Sequence, residues 1–159
     1  MKDKSNVEEK DTLNTDYYKI FYLDGRIDTV DTTLSIYKDY KFNFLREDSF
    51  DLISFANSAH TYNKLAYDFK DFSKPDIGAR GKHFHYFEKE DIGYYNVPTP
   101  LTEIFAKSTF EQGQILDVLV SINLNPQYNF TVAHKGYKSL GKYLNNRSRG
   151  NQFRFISNY

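Results

Sequence analysis

Between Gly113 and Gly136 the chain reads GQILDVLVSINLNPQYNFTVAHKG, and no other stretch restricts the fold as tightly. Leu116, Val118, Val120, Ile122 and Leu124 are apolar at every second position, while Asp117, Ser121 and Asn123 stand between them, with Leu119 the exception. Alternate side chains of a strand point to opposite faces, so this spelling gives one oily face and one wet face. Asn125-Pro126-Gln127 interrupts it with turn chemistry, after which Tyr128, Phe130 and Val132 resume the apolar row.

The register of this hairpin can be written from the sequence. With Leu124 opposite Tyr128 across a three-residue loop, Ile122 meets Phe130 and Val120 meets Val132 on the apolar face. Ser121 then meets Thr131, and Asp117 meets Lys135, on the polar face. Opposite charges across a ladder contribute a few tenths to about 1 kcal/mol. A slip of one residue would throw the two apolar rows onto opposite faces.

Composition narrows the function classes. The 159 residues suffice for one domain with a real core. Lys plus Arg and Asp plus Glu number 21 each, a balance that argues against a dedicated nucleic-acid binder. The absence of cysteine excludes thiol catalysis, zinc-thiolate sites and disulfides. The 14 Tyr and 14 Phe suit sheet surfaces and membrane interfaces. No apolar run approaches the roughly 18 residues of a spanning helix. The mean hydropathy of -0.67 leaves a membrane barrel open, because half of a barrel wall faces a polar interior. The first residues, MKDKSNVEEKDTLNTD, have no apolar segment of the secretory kind and read as a polar, disordered arm over 1–16.

Along the rest of the chain, strand signals dominate. Tyr17–Leu23, the Asp24-Gly25 turn and Arg26–Ile36 spell a first, more polar hairpin, with Val30, Leu34 and Ile36 on one face. Tyr37–Asp71 carries irregular aromatics and predicts short strands and packed loops. Val97-Pro98-Thr99-Pro100 is a stiff extended connector. Leu101–Phe110 reads as a strand that turns near Gln112-Gly113 into the strong hairpin. Ser139–Gln152 is basic and turn-rich, an expected exposed loop. Phe153–Tyr159 alternates again, with Phe153, Phe155 and Tyr159 on one face and Arg154 and Asn158 on the other. This strand ends without a turn or protecting tail, which leaves an edge that complete sheets avoid, so a longer protein is expected. No internal repeat is present.

The chemistry-bearing residues give weak signals. His83 and His85 share a face on a strand, but no third metal ligand accompanies them. His60 and His134 are isolated and read as structural. Glu88, Glu90 and Asp91 are a solvated charge run rather than a catalytic pair. Ser49, Ser54 and Ser58 lack elbow glycines. Gly78-Ala79-Arg80-Gly81-Lys82 lacks the spacing and hydroxyl of a phosphate loop. Arg147, Arg149, Arg154, Lys138 and Lys142 form a basic patch, read against lipid headgroups or a water-filled lumen before nucleic acid.

Several blocks resemble the putative porin family of Bacteroidota outer membranes. They are Phe55–Asn57 (FAN), Thr61–Asn63 (TYN), Thr99–Glu103 (TPLTE), Glu111–Gln114 (EQGQ), Lys135–Tyr137 (KGY) and Ser139–Tyr143 (SLGKY). The resemblance implies an all-β fold of antiparallel hairpins and meander, the front part of a transmembrane β-barrel after an irregular, loop-rich N-terminal region. Residues 17–100 would be a β/loop extension, periplasmic or plug-like, and 101–159 the first spanning strands. Leu116, Val118, Val120, Ile122, Leu124, Phe130 and Val132 would face lipid, with Tyr128 near the interface. Asp117, Ser121, Asn123, Thr131 and Lys135 would face the lumen. The implied function is passive diffusion through an outer-membrane channel, with no enzyme activity, cofactor or metal. The expected partners are outer-membrane lipid, small solutes and an outer-membrane protein complex, not nucleic acid. Two alternatives stand beside it: a soluble β-rich binding domain, and an outer-membrane scaffold barrel that conducts nothing.

Overall fold

The structure, a computed structural model, describes residues 15–31, 35–43, 45–46, 51–55, 57, 60–66, 84–109 and 113–159. All its described sheets are antiparallel. Its described helical segments are short 3-10 turns at Thr15–Tyr17, Ile36–Lys41 and Lys89–Asp91. The all-β, hairpin-and-meander class read from the sequence is the class observed.

Strands β1 (Lys19–Phe21) and β2 (Ile27–Thr29) form the first hairpin. Gly25 takes φ +84° at its turn, a conformation open to glycine at little steric cost. The hairpin is shorter than expected, because β2 does not run on to Ile36. Its last rung is Val30 N–H donating to Tyr18 O at 3.0 Å, and the 3-10 turn at Thr15–Tyr17 leaves no strand beyond it to pair with. Ile36 opens a 3-10 turn instead, and Leu34 lies outside the described residues. Within the region expected to hold short strands, β3 (Leu52–Ser54) pairs with β4 (Tyr62–Lys64). Strand β5 (Tyr94–Asn96) was not legible in the sequence; it joins the other edge of β1. No strand forms over Phe84–Glu88, and Lys82 and His83 lie outside the described residues.

The C-terminal part is a four-stranded meander of β6 (Leu101–Thr109), β7 (Gly113–Asn125), β8 (Tyr128–Ser139) and β9 (Ser148–Asn158). The rungs Ile122–Phe130, Val120–Val132, Ser121–Thr131 and Asp117–Lys135 are those written from the sequence. Asp117 and Lys135 therefore share a face. At the tip the expectation fails: Asn125, not Leu124, opposes Tyr128, and the ladder shifts between Asn123 and Asn125. The physical reason is a bulge, which leaves Leu124 without a rung and 65% exposed. The expected loop at Ser139–Gln152 is also shorter. Ser148–Gln152 are strand, paired with Lys135–Ser139, because alternation there is hidden by polar residues on both faces.

One glycine is required by packing within this sheet. A Cβ on Gly150 would lie 2.3 Å from the Tyr137 hydroxyl oxygen and 2.4 Å from its ring carbon Cζ. The Tyr137 ring is buried, lies edge-on to the His85 ring with centroids 4.5 Å apart, and hydrogen-bonds His85 Nε2 through its hydroxyl. It has little room to move. Gly150→Ala is expected to cost about 1–3 kcal/mol, the range for overpacking a filled site. A urea-unfolding midpoint unchanged from the parent would contradict this packing.

Candidate functional site

The covered face of the meander carries polar groups interleaved with the buried apolar Ile115, Leu119, Ala133, Tyr137 and Ile156. Asp117, Ser121, Asn129, Thr131, Lys135 and Ser139 are all buried, Lys135 to 1% exposure. The opposite face is apolar and open: Ile104 is 68% exposed, Leu124 65%, Phe153 76% and Phe155 71%. Leu116, Ile122 and Val132 are also exposed, and Val118, Val120 and Phe130 are half-buried. Water alone would favour the reverse, since apolar surface leaves water favourably and polar groups do not. The sheet thus leaves large apolar side chains open while covering charged and hydroxylic ones, which a soluble domain avoids.

Burying the polar face requires partners for each group, and the N-terminal segments bring them. Asp117 lies between two guanidiniums, 3.5 Å from Arg46 Nη1 and 3.2 Å from Arg154 Nη2. Its ion-pair partners among the described residues are these arginines rather than Lys135 across the ladder. Arg46 also pairs with Glu103 and lies 4.3 Å over the Phe105 ring. Arg154 stands 4.0 Å over Phe87. Lys135 Nζ donates to Leu45 O at 3.4 Å and sits 4.8 Å from the Phe87 ring centre.

Nearer the hairpin tip the groups are neutral. Thr131 Oγ1 and Ser121 Oγ are 2.8 Å apart, and Asn129 Nδ2 donates to Ser121 Oγ at 3.0 Å and to Asn123 Oδ1 at 2.7 Å. Asn123 carries this network into the N-terminal part: it accepts from Val97 N–H at 3.3 Å and donates to Asn96 Oδ1 at 2.8 Å. At the other end Asn57 hydrogen-bonds Ser139 Oγ and donates to Asn146 O at 2.6 Å. Gln152 clamps the Phe87 backbone, accepting from its N–H at 3.2 Å and donating to its carbonyl at 3.0 Å. Strand β5 packs against β8 and β9 on this same side.

The open face is graded. One rung, Ser108–Gln114–Lys138–Arg149, is polar and exposed throughout. Rungs of Ile104–Val118–His134–Phe153 and Thr102–Val120–Val132–Phe155 follow. At the far end Tyr128 OH and Ser157 Oγ are 2.8 Å apart. The basic patch expected from the sequence does not exist as one surface. Lys138 and Arg149 are paired on the open face, whereas Arg154 is on the covered face with Asp117. Its strand position two residues from Gln152 and Ile156 puts it there.

Tyr95 and Tyr22 border the covered side. Burial, with the Glu103 carboxylate adding to it, pushes the Tyr95 hydroxyl up to about 12. Burial and then the Asp28 carboxylate raise Tyr22 as well. Both therefore remain protonated hydrogen-bond donors at neutral pH.

The weaker sequence signals resolve locally. Asp91 closes a 3-10 turn, where its carboxylate accepts from Glu88 N–H at 3.2 Å, and Glu90 lies 3.3 Å from Lys89. Ser49, Ser58, His83 and residues 78–82 lie outside the described residues. Periodicity could not reveal Arg46, Asn57, His85 or Phe87 as covering residues, because they meet the sheet from 52 to 91 positions away. Asn57 carried a signal in the Phe-Ala-Asn block and His85 one beside His83, and neither signal gave this role.

Among the described residues the sheets are all antiparallel, and the meander leaves its large apolar side chains open while covering charged and hydroxylic ones. The chain belongs to the family described as putative porin, which matches residues 14–159. No curated protein and no solved structure matches it.

Asp117→Ala is expected to destabilise the protein by about 3–5 kcal/mol, because it leaves the largely buried Arg154 guanidinium without its counter-ion and facing Arg46. Replacing Asp117 and Arg154 together should cost less than the sum. Additive losses in a double-mutant cycle of unfolding free energies would show that the pair is not coupled.

Proposed function

We infer that this chain is part of an outer-membrane β-barrel that works as a passive, porin-like diffusion channel. What carries the reading is the partition of the meander: apolar side chains open on one face, buried polar side chains on the other. An exposed apolar surface of this extent marks a membrane or protein interaction site. Strand lengths agree with the reading, at 9, 13, 12 and 11 residues for β6 to β9, against roughly 9–11 needed to cross at a tilt. Leu116, Val118, Val120, Ile122, Leu124, Phe130 and Val132 then face acyl chains. The Lys138–Arg149 rung and Tyr128 mark the two interfaces. Because lipid offers a bare amide no partner, the edges of β6 and β9 need further strands beside them in a membrane.

Asp117, Ser121, Asn123, Thr131 and Lys135 line the lumen side. The N-terminal segments between residues 17 and 100 sit on them as a plug, so solute passes between plug and wall or after the plug shifts. The polar arm expected over 1–16 lies outside the described residues as far as Asn14. The wall supplies no reaction and needs no cofactor; its groups select by size and charge. The same contact supports a second reading, a plugged barrel that scaffolds a complex and conducts nothing. Planar-bilayer conductance of the full-length protein separates the two.

Val120 is central in the apolar run from Leu116 to Leu124. Val120→Arg should cost about 2–4 kcal/mol in refolding into lipid vesicles, the range for a cation at the bilayer midplane. On a soluble surface the same change costs within about 0.5 kcal/mol. A full-length protein that stays soluble without detergent and tolerates the arginine would end the barrel reading. The plug has its own check, made simpler by the absence of cysteine from these 159 residues. Asn57→Cys with Ser139→Cys should cross-link in isolated membranes under a mild oxidant, and either single variant should not. Two thiols that remain free would place the N-terminal part away from the wall.

A further inference from the structure

Between the first hairpin and the covered face of the meander lies a cavity of about 240 Å³. Asp117, Leu119, Arg154 and Ile156 form its sheet side, and Tyr22, Tyr95, Phe87 and Arg46 are among the residues opposite. Water occupies roughly 30 Å³ per molecule in the liquid, so the space equals about eight waters. That suits one hydroxylated six-membered ring.

Two observations make this more than a gap. The Arg154 side chain is only 10% exposed, and its Nε is buried with no hydrogen-bond partner among the described residues. Its Nη2 is already committed to Asp117. An orphaned donor on a guanidinium is costly, and it asks for an acceptor. The lining is also mixed in sign: Arg46 and Arg154 stand against Asp91, Glu103 and Asp117. A simple anion would satisfy Arg154 but meet three carboxylates with two cations. A simple cation or an apolar solute would leave the Nε donor unmet. A polyol both accepts from guanidinium N–H groups and donates to carboxylates, and the protonated tyrosine hydroxyls serve it in either sense.

We propose that this cavity binds a small, neutral, polyhydroxylated solute of monosaccharide size, with Arg154 Nε–H and the Asp117 and Glu103 carboxylates as its polar contacts. The site deepens the channel reading and rests on it in one respect, that solute reaches the cavity from the lumen.

The test uses the full-length protein in detergent micelles and D-glucose as probe, followed by saturation-transfer NMR and calorimetry, with inorganic phosphate in parallel. Saturable glucose binding is expected, along with no phosphate binding. Arg154→Lys keeps the charge beside Asp117 but removes the Nε donor, and should weaken glucose by about tenfold or more, the equivalent of one charged hydrogen bond. Should Arg154→Lys fail to refold, Tyr95→Phe, which keeps the ring and loses the hydroxyl, should also weaken glucose. No saturable glucose binding by the folded parent overturns the proposal. Phosphate binding in place of glucose, or parent-like affinity in both variants, overturns it too. Failure here is distinct from failure of the channel reading: a conducting barrel indifferent to glucose removes only the site, and a soluble protein that binds glucose removes only the barrel.

Discussion

The Asp117 carboxylate, held between Arg46 and Arg154, is the contact on which the rest of the structure depends. It ties three pieces together that are remote in sequence: the N-terminal segment, the second strand of the meander and the last one. Charges buried this far from water are tolerated only when paired and hydrogen-bonded. The pairing in turn obliges neighbouring groups to be satisfied. Lys135 reaches a backbone carbonyl and an aromatic face, and Ser121, Asn129 and Thr131 bond to one another. A polar face built this way holds the N-terminal segments in one orientation, since a shifted segment would strand several of these groups at once.

The open face follows from the same constraint. A strand has two faces and a period of two, so with Asp117, Ser121, Thr131 and Lys135 on the covered side, the apolar residues that alternate with them, Leu116, Val118, Val120, Ile122, Phe130 and Val132, point the other way. In the soluble world this would be a defect. In membrane β-barrels in general it is an ordinary division of labour, with the wet side inward and the oily side outward. The polar rung at Lys138 and Arg149 and the tyrosine near the hairpin tip bound the oily rows at either end, which gives the sheet a finite apolar height rather than an apolar surface without limit.

How much was legible differs from element to element for identifiable reasons. The β7–β8 register could be written residue by residue, because alternation, turn chemistry and the Asp117–Lys135 match all agree on it. Its tip could not, because a bulge leaves no mark in a row of apolar residues. Strand β5 was missed since Tyr94–Asn96 is three residues long and owes its form to the edge of β1. Strand β9 was begun too late, because Ser148–Gln152 shows no contrast between faces. Arg154 looked like part of a basic loop surface, yet its strand position sends it to the opposite side from Lys138 and Arg149.

What the sequence determined by itself is local and periodic: the strands of the meander, their pairing, and the separation of an oily face from a wet one, all fixed by side-chain alternation between near neighbours. Only the tertiary structure decided which of those faces is covered. That choice is made by Arg46, Asn57, His85 and Phe87, which arrive from distant segments, and alternation within a strand carries no information about what lies beneath it.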